Sequence, residues 1–216
     1  MVKIKNIAIV TSEKSWFVPF AKKLVSVLKE KGYHSKLFNK YADINKKFEV
    51  VFMLSYFEIV DKKSLGKHFH NIVVHESSLP KGRGWAPLFW QILEGKNKIP
   101  ISLFEASPKL DAGHVYIKDY IILNGDELYD EIRKNQALKT IELCLRFLNN
   151  YNRLSLKKQV GKASYYKKRD TKDSQLDINK SIKEQFNLLR IVNNDEFPAF
   201  FYYKNKKYFL KIYKEN

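Results

Sequence analysis

The feature that most constrains this chain is a set of short apolar runs without polar alternation: Ile7-Ala8-Ile9-Val10, Val50-Val51-Phe52-Met53-Leu54 and Ile72-Val73-Val74. A strand wetted on one face alternates apolar and polar residues. A strand rich in β-branched residues with no alternation is covered on both faces, as in a parallel sheet between helical layers. The sequence after the first run agrees. Phe17, Phe20, Ala21, Leu24, Val27 and Leu28 keep the spacing of one helix face, with Ser15 as its cap and Gly32 as its stop, and His34 to Asn39 then reads as a second strand. The pattern predicts a βαβ opening whose first strand runs from Lys3 to Thr11. Its first loop, Thr11 to Ser15, holds no glycine, so the G-x-G-x-x-G phosphate cradle is absent and no nicotinamide or flavin cofactor is expected.

Further strands are expected at Phe48 to Leu54, at the run ending in His75, at Ile99 to Phe104 and at Val115 to Leu123. A short basic helix is expected near Asp61 to His68. Another, from Ala86 to Glu94, has Pro87 in its first turn, where a missing N–H costs nothing, and Gly95 as its stop. Asp126 reads as the cap of a long helix to about Asn150, with Leu138, Ile141, Leu145 and Leu148 as its core stripe. Residues 157–172 are basic and aperiodic, which suggests a surface linker. Ser181 and Glu184 have capping-box spacing before a short helix carrying Ile182, Phe186 and Leu189. Phe200 to Tyr203 and Tyr208 to Leu210 read as a hairpin. The expected architecture is α/β: a mostly parallel twisted sheet flanked by helices in residues 1–156, with a linker and a small C-terminal helix plus β-hairpin in 157–216.

Charge and cysteine content narrow the function classes. The net charge of +17 in 216 residues comes mainly from lysines scattered through every segment. Two readings stand, a lysine-rich source composition and attraction of a phosphate-bearing substrate; a nucleic-acid stripe is the less favoured reading. The single cysteine, Cys144, excludes an internal disulfide and a cysteine-cluster metal site, and its helical apolar context reads as inert packing. No apolar run approaches the roughly 20 residues of a membrane-spanning helix. The N-terminal apolar stretch is too short for a signal peptide, so the cytoplasm is the expected location.

Chemistry is expected where His75 ends an apolar strand and a glycine loop, Glu76 to Trp85, follows it. Open α/β sheets place ligands beyond the carboxyl ends of their strands. The Leu110-Asp111-Ala112-Gly113 turn lies one helix and one strand later. A carboxylate beside an imidazole orients it and favours its charged form, so His75 and Asp111 are the candidate reacting pair. Tyr56, Phe57, Glu58, Ile59 and Val60 follow another strand end and read either as the wall of a ligand crevice or as a packed loop.

The stretch His75-Glu76-Ser77-Ser78-Leu79-Pro80-Lys81-Gly82-Arg83-Gly84, with Pro87, Gly95 and Leu110-Asp111-Ala112-Gly113, closely resembles the formyltransferases that use 10-formyltetrahydrofolate. The resemblance covers roughly residues 48 to 123. It implies a Rossmann-like formyltransferase fold with its catalytic domain in 1–156, and 10-formyltetrahydrofolate as cosubstrate with no metal. It also implies that His75 and Asp111 are the catalytic pair, and that the backbone of Tyr56, Phe57, Glu58, Ile59 and Val60 holds the pterin ring. One departure stands out. Val73 occupies the position of the family asparagine that helps polarise the formyl oxygen, and Ser77 is either its stand-in or an ordinary turn serine.

Too few residues follow Lys157 for the C-terminal barrel of the family's tRNA enzyme. A catalytic domain with a small tail resembles the sugar N-formyltransferases, and the Lys81-Gly82-Arg83-Gly84-Trp85 phrasing resembles the group found with pseudaminic and related nonulosonic acid pathways. The resemblance therefore implies a partner of nucleotide-linked amino-sugar type, a UDP-linked 4-amino-4,6-dideoxy-N-acetyl hexosamine, with Lys81 and Arg83 at its diphosphate and Trp85 or Trp90 stacked on its base or sugar, Trp90 being otherwise a core residue. The aromatic hairpin either buries itself in a homodimer or shields the sugar site, and a methionyl-tRNA formyltransferase-like activity and a non-catalytic basic nucleic-acid-binding module are the alternative functions kept in view.

Overall fold

The computed structural model describes residues 4–215. β1 (Asn6–Val10), α1 (Val18–Glu30) and β2 (His34–Phe38) form the βαβ opening; the expected start of the first strand at Lys3 lies outside the described residues. Phe17, not Ser15, takes the N-cap position of α1. Ser15 Oγ accepts from the Phe17 N–H at 3.1 Å, and Pro19 marks the first turn of the helix. β3 (Val50–Met53), α2 (Lys62–Leu65) and β4 (His70–His75) continue the parallel sheet. Asp61 caps α2 by accepting from the Lys63 and Ser64 N–H groups.

After β4 the chain passes through β5 (Arg83–Gly84) and α3 (Pro87–Leu93) into β6 (Lys98–Glu105) and β7 (Val115–Ile122). α3 spans only about 10 Å at 1.5 Å per residue, too short to carry the chain back along the sheet. β6 therefore re-enters at the end where β4 finished and runs antiparallel to it, and β7 reverses again. Among the described residues the main sheet has the order β2-β1-β3-β4-β6-β7, parallel across its first four strands.

Both faces of the central strands are covered, as the apolar runs require. Ile7, Ile9, Phe52 and Ile72 pack beneath α1, α3 and the long α4 (Tyr129–Asn150), while Ala8, Val10, Val51 and Met53 face Tyr41, Ile44 and α2. The expected α4 stripe is partly displaced. Leu138 is 42% exposed, and Ile132, Ala137, Cys144 and Phe147 carry the buried face with Ile141 and Leu148. Cys144 is fully enclosed. Asp126 does not cap α4 either: Leu128 is the N-cap, the Glu131 carboxylate accepts from its N–H at 2.9 Å, and Asp126 pairs with Lys214.

The C-terminal part adds β8 (Tyr165–Tyr166), α5 (Phe186–Arg190), β9 (Ala199–Tyr203) and β10 (Lys206–Leu210). The last two form the expected hairpin, turned by Lys204 and Asn205, both at positive φ as a two-residue turn demands. Ser181 and Glu184 make their reciprocal cap, but the helix begins only at Phe186 and Ile182 stays exposed. Arg190 is 1% exposed. It donates to the Glu127 carbonyl and carboxylate and to the side chains of Asn97 and Asn187, tying α5 to the turn before α4.

Residues 157–172 depart most from expectation. Lys157 bridges to Val115 in both directions, and β8 pairs in parallel with β5 inside the glycine loop. The segment is a strap across the loop. Its contribution runs through backbone groups and a few polar side chains, which leave no periodic signal. Among the described residues no helix is long and apolar enough to cross a membrane, and no cluster of three His, Cys, Asp or Glu side chains is placed to hold a metal ion.

Candidate active site

His75 sits at the last position of β4 with its side chain buried. Its Nε2 lies 2.9 Å from the carbonyl oxygen of Gly82. A carbonyl only accepts, so Nε2 carries the proton in the neutral ring. The same nitrogen stands 3.6 Å from Asp111 Oδ2, within ion-pair range and too far for a direct hydrogen bond. Asp111 belongs to the β6–β7 turn and has a left-handed backbone, φ +48°. Its Oδ2 accepts from the Gly84 N–H at 2.9 Å. Gly113, two residues on, packs so tightly on the β6 backbone that an added Cβ would collide with the Glu105 carbonyl.

The loop between His75 and Arg83 is held through its carbonyl groups. Gln91 donates to the Glu76 carbonyl at 2.7 Å, Ser102 to that of Ser77 at 2.7 Å, and Lys118 to that of Leu79 at 2.9 Å. The Leu79-Pro80 peptide is cis. The strap holds the second half of the loop. The Gly82 N–H donates to Ser164 Oγ, the Arg83 N–H to the Ser164 carbonyl and the Trp85 N–H to the Tyr166 carbonyl. Gly84, at φ +99°, lies against the Tyr166 backbone, where any Cβ would strike the Tyr166 carbonyl. Tyr166 also stacks on Trp90 and donates its hydroxyl to Glu94 at 2.7 Å; burial and that carboxylate push its pKa up.

Gln159 on the strap uses both ends of its amide. Nε2 donates to the carbonyls of Asp111 and Gly113 at 2.8 and 2.7 Å, and Oε1 accepts from Arg83 at 2.6 Å. Arg83, expected at a substrate diphosphate, has one terminal nitrogen on Gln159 and the other 3.3 Å from the Tyr165 hydroxyl. Lys81 is exposed and lines a cavity of about 400 Å³ with Ser77, Ser78, Lys96, Lys98 and Tyr166. The Ser77 Oγ is buried without a hydrogen-bond partner. Val73 shares the His75 face of β4, two residues earlier, and sits between Met53 and Phe104. The side chain beside His75 on that face is therefore apolar.

The Tyr56 to Val60 segment forms the facing rim. The Tyr56 hydroxyl donates to Glu58 at 2.6 Å, and burial with that hydrogen bond pushes its pKa up to about 12. Phe57 gives its N–H to Ser12 Oγ, whereas the N–H groups of Glu58 and Ile59 have no hydrogen bond within the described residues. Val60 is buried; Phe57 and Ile59 are exposed. Phe57 and Trp85 meet ring to ring at 5.7 Å, joining this rim to the glycine loop, and Lys168 lies 5.2 Å from the Trp85 ring centre. The strap contacts and the Arg190 tie were not legible from the sequence; the aromatic pair Tyr165-Tyr166 was the one hint of strand pairing.

No family model matches the chain. It is 30% identical over 125 residues to the methionyl-tRNA formyltransferase of Sulfurihydrogenibium sp., an alignment covering 56% of this chain and 40% of that protein. It is 24% identical over 164 residues to the corresponding enzyme of Thermodesulfovibrio yellowstonii, with 74% and 53% covered. The chain thus spans about half, or less, of the length of these curated relatives. Among solved structures, a methionyl-tRNA formyltransferase from Clostridium thermocellum superposes with a TM-score of 0.79 at 20% identity, covering 99% of this chain and 94% of that one. A sugar N-formyltransferase from a Shewanella species gives 0.70 at 17% identity, with 98% of each chain covered. HypX from Aquifex aeolicus in complex with tetrahydrofolic acid gives 0.77 at 18% identity, covering 98% of this chain and 38% of that one.

Proposed function

We propose that this chain, whose fold is that of solved formyltransferases, uses its His75–Asp111 site to move the formyl group of 10-formyltetrahydrofolate onto the primary amine of a nucleotide-linked sugar, of the UDP-4-amino-4,6-dideoxy-N-acetyl hexosamine type. The observation that carries this reading is the 3.6 Å approach of His75 and Asp111 at the end of β4, behind a glycine loop held on both sides. The solved sugar N-formyltransferase that matches this chain over nearly its whole length supports the sugar.

The residues present fit a folate. The unbonded N–H groups of Glu58 and Ile59 suit a heterocycle with acceptor atoms, and the exposed Phe57 ring suits its flat face. The folate supplies a formyl group activated on N10. Asp111 takes one proton from the attacking amine as the new carbon–nitrogen bond forms, and the pair relays that proton through His75 to N10 as the old bond breaks, so that both side chains end as they began. His75 also stabilises the charge that develops on the formyl oxygen, and Ser77 supplies the second donor that Val73 lacks. Lys81, with Lys96 and Lys98 around the same cavity, meets the diphosphate, and Trp85 with Lys168 holds the base or sugar.

Incubation with 10-formyltetrahydrofolate and a panel of nucleotide-linked 4-amino sugars tests the reading. The expected result is a sugar heavier by one formyl group, with no product from His75→Ala. The sequence relatives favour a second reading, formylation of methionyl-tRNA. A faster rate on charged tRNA than on every sugar would replace the first reading by the second, and no transfer to either would remove both.

A further inference from the structure

We infer that Gln159 is a positioning residue for the formyl-transfer site, acting on Asp111 through its backbone and set in place by Arg83. This rests on the functional reading given above. Arg83 can only donate, so the Gln159 oxygen must face it and the amide nitrogen must face the two carbonyls; the orientation of the amide is fixed by its neighbours. Those carbonyls belong to Asp111 and Gly113, on either side of Ala112. Holding both of them locks the left-handed turn at Asp111, and that turn points Oδ2 at the Gly84 N–H and at His75. Arg83 lies one residue before Gly84. The relay therefore couples the loop that contacts His75 to the turn that carries its carboxylate, with every polar atom of the Gln159 side chain used at the site.

Two substitutions separate donation from space filling. Gln159→Glu keeps the shape and the Arg83 contact but turns a second oxygen toward two carbonyls. Gln159→Leu removes both functions. The expected result is a kcat lowered about 10- to 100-fold in both, with KM for the folate and for the amine within about twofold of wild type, as for a misplaced catalytic group. The His75 imidazole signals in the NMR spectrum of the substrate-free protein, assigned by their loss in His75→Ala, should move in both variants. Arg83→Lys reads the relay from its other end and should move the same signals less, because one ammonium cannot span Gln159 and Tyr165 together. Wild-type kcat and unmoved His75 signals in Gln159→Glu would overturn the assignment. If His75→Ala were as active as wild type, the functional reading would fall instead, and the NMR comparison would still judge the relay.

Discussion

Gly84 donates its backbone N–H to Asp111 Oδ2 at 2.9 Å, and that oxygen is the one facing Nε2 of His75. One carboxylate oxygen thus answers both to the glycine loop and to the imidazole. Asp111→Asn preserves the shape of the side chain and can still accept from Gly84, yet it removes the negative charge and the proton acceptor. Its expected outcome is a wild-type fold by circular dichroism with formyl transfer slowed about 10²- to 10⁴-fold, the range of a lost acid–base group. Wild-type turnover would separate Asp111 from the chemistry.

Ser77 should show opposite effects on stability and rate. Its hydroxyl is buried without a partner, a state that costs stability in the free protein. Ser77→Ala is therefore expected to leave the melting temperature unchanged or higher. If the hydroxyl serves the formyl oxygen, kcat falls about 10²- to 10³-fold in the same variant. A lower melting temperature with full activity would mark it as a plain turn residue.

The strap is held against the loop by the absence of a side chain at Gly84. Alanine there meets a positive φ and the Tyr166 carbonyl together, so the strap must lift. Backbone strain alone is worth about 1–3 kcal/mol. The checks are denaturant unfolding and limited trypsin digestion, with the exposed lysines 157, 158 and 162 cut faster in Gly84→Ala than in wild type.

Glu127 and Arg190 give the C-terminal part a defined acid sensitivity. Burial pushes the Glu127 carboxyl up, but the N–H groups of Asn124 and Gly125 and the Arg190 guanidinium more than offset this, and its pKa falls below the usual 4.5. A lowered carboxyl pKa stabilises the fold above the unfolded value, and that stability is lost as pH drops through the folded value. Wild type should lose melting temperature on acidification while Glu127→Gln starts lower at pH 7 and loses less, so that the gap narrows as the pH falls below 4.5 and through the lowered folded value. Arg190→Met leaves the buried carboxylate with its two backbone N–H donors but without a counter-charge, at an expected cost of about 3–5 kcal/mol in urea unfolding.

The strands and the place of His75 at the end of one were legible because buried runs leave marks in composition and spacing, whereas Asp111, in a turn, was marked by its Asp-x-Gly sequence and by the family resemblance. The reversal at β6 was not, since strand direction has no periodic signature; it follows from the shortness of α3. The strap was read as a linker because it holds the loop with Ser164, Gln159 and backbone carbonyls, chemistry that a polar, lysine-rich segment conceals. Arg190 was invisible for a similar reason. A charge deep in the interior is recognisable only through its partners, and Glu127 lies far from it in sequence.

Cys144 is the chain's only thiol, and its enclosure pushes its pKa up, so it offers no reactive thiolate to reagents in solution. A cysteine introduced at the exposed position of Ile59 would then be the sole target of maleimide dyes or spin labels. The rim opposite the glycine loop becomes observable in the otherwise unaltered chain, and its movement during turnover can be followed by fluorescence.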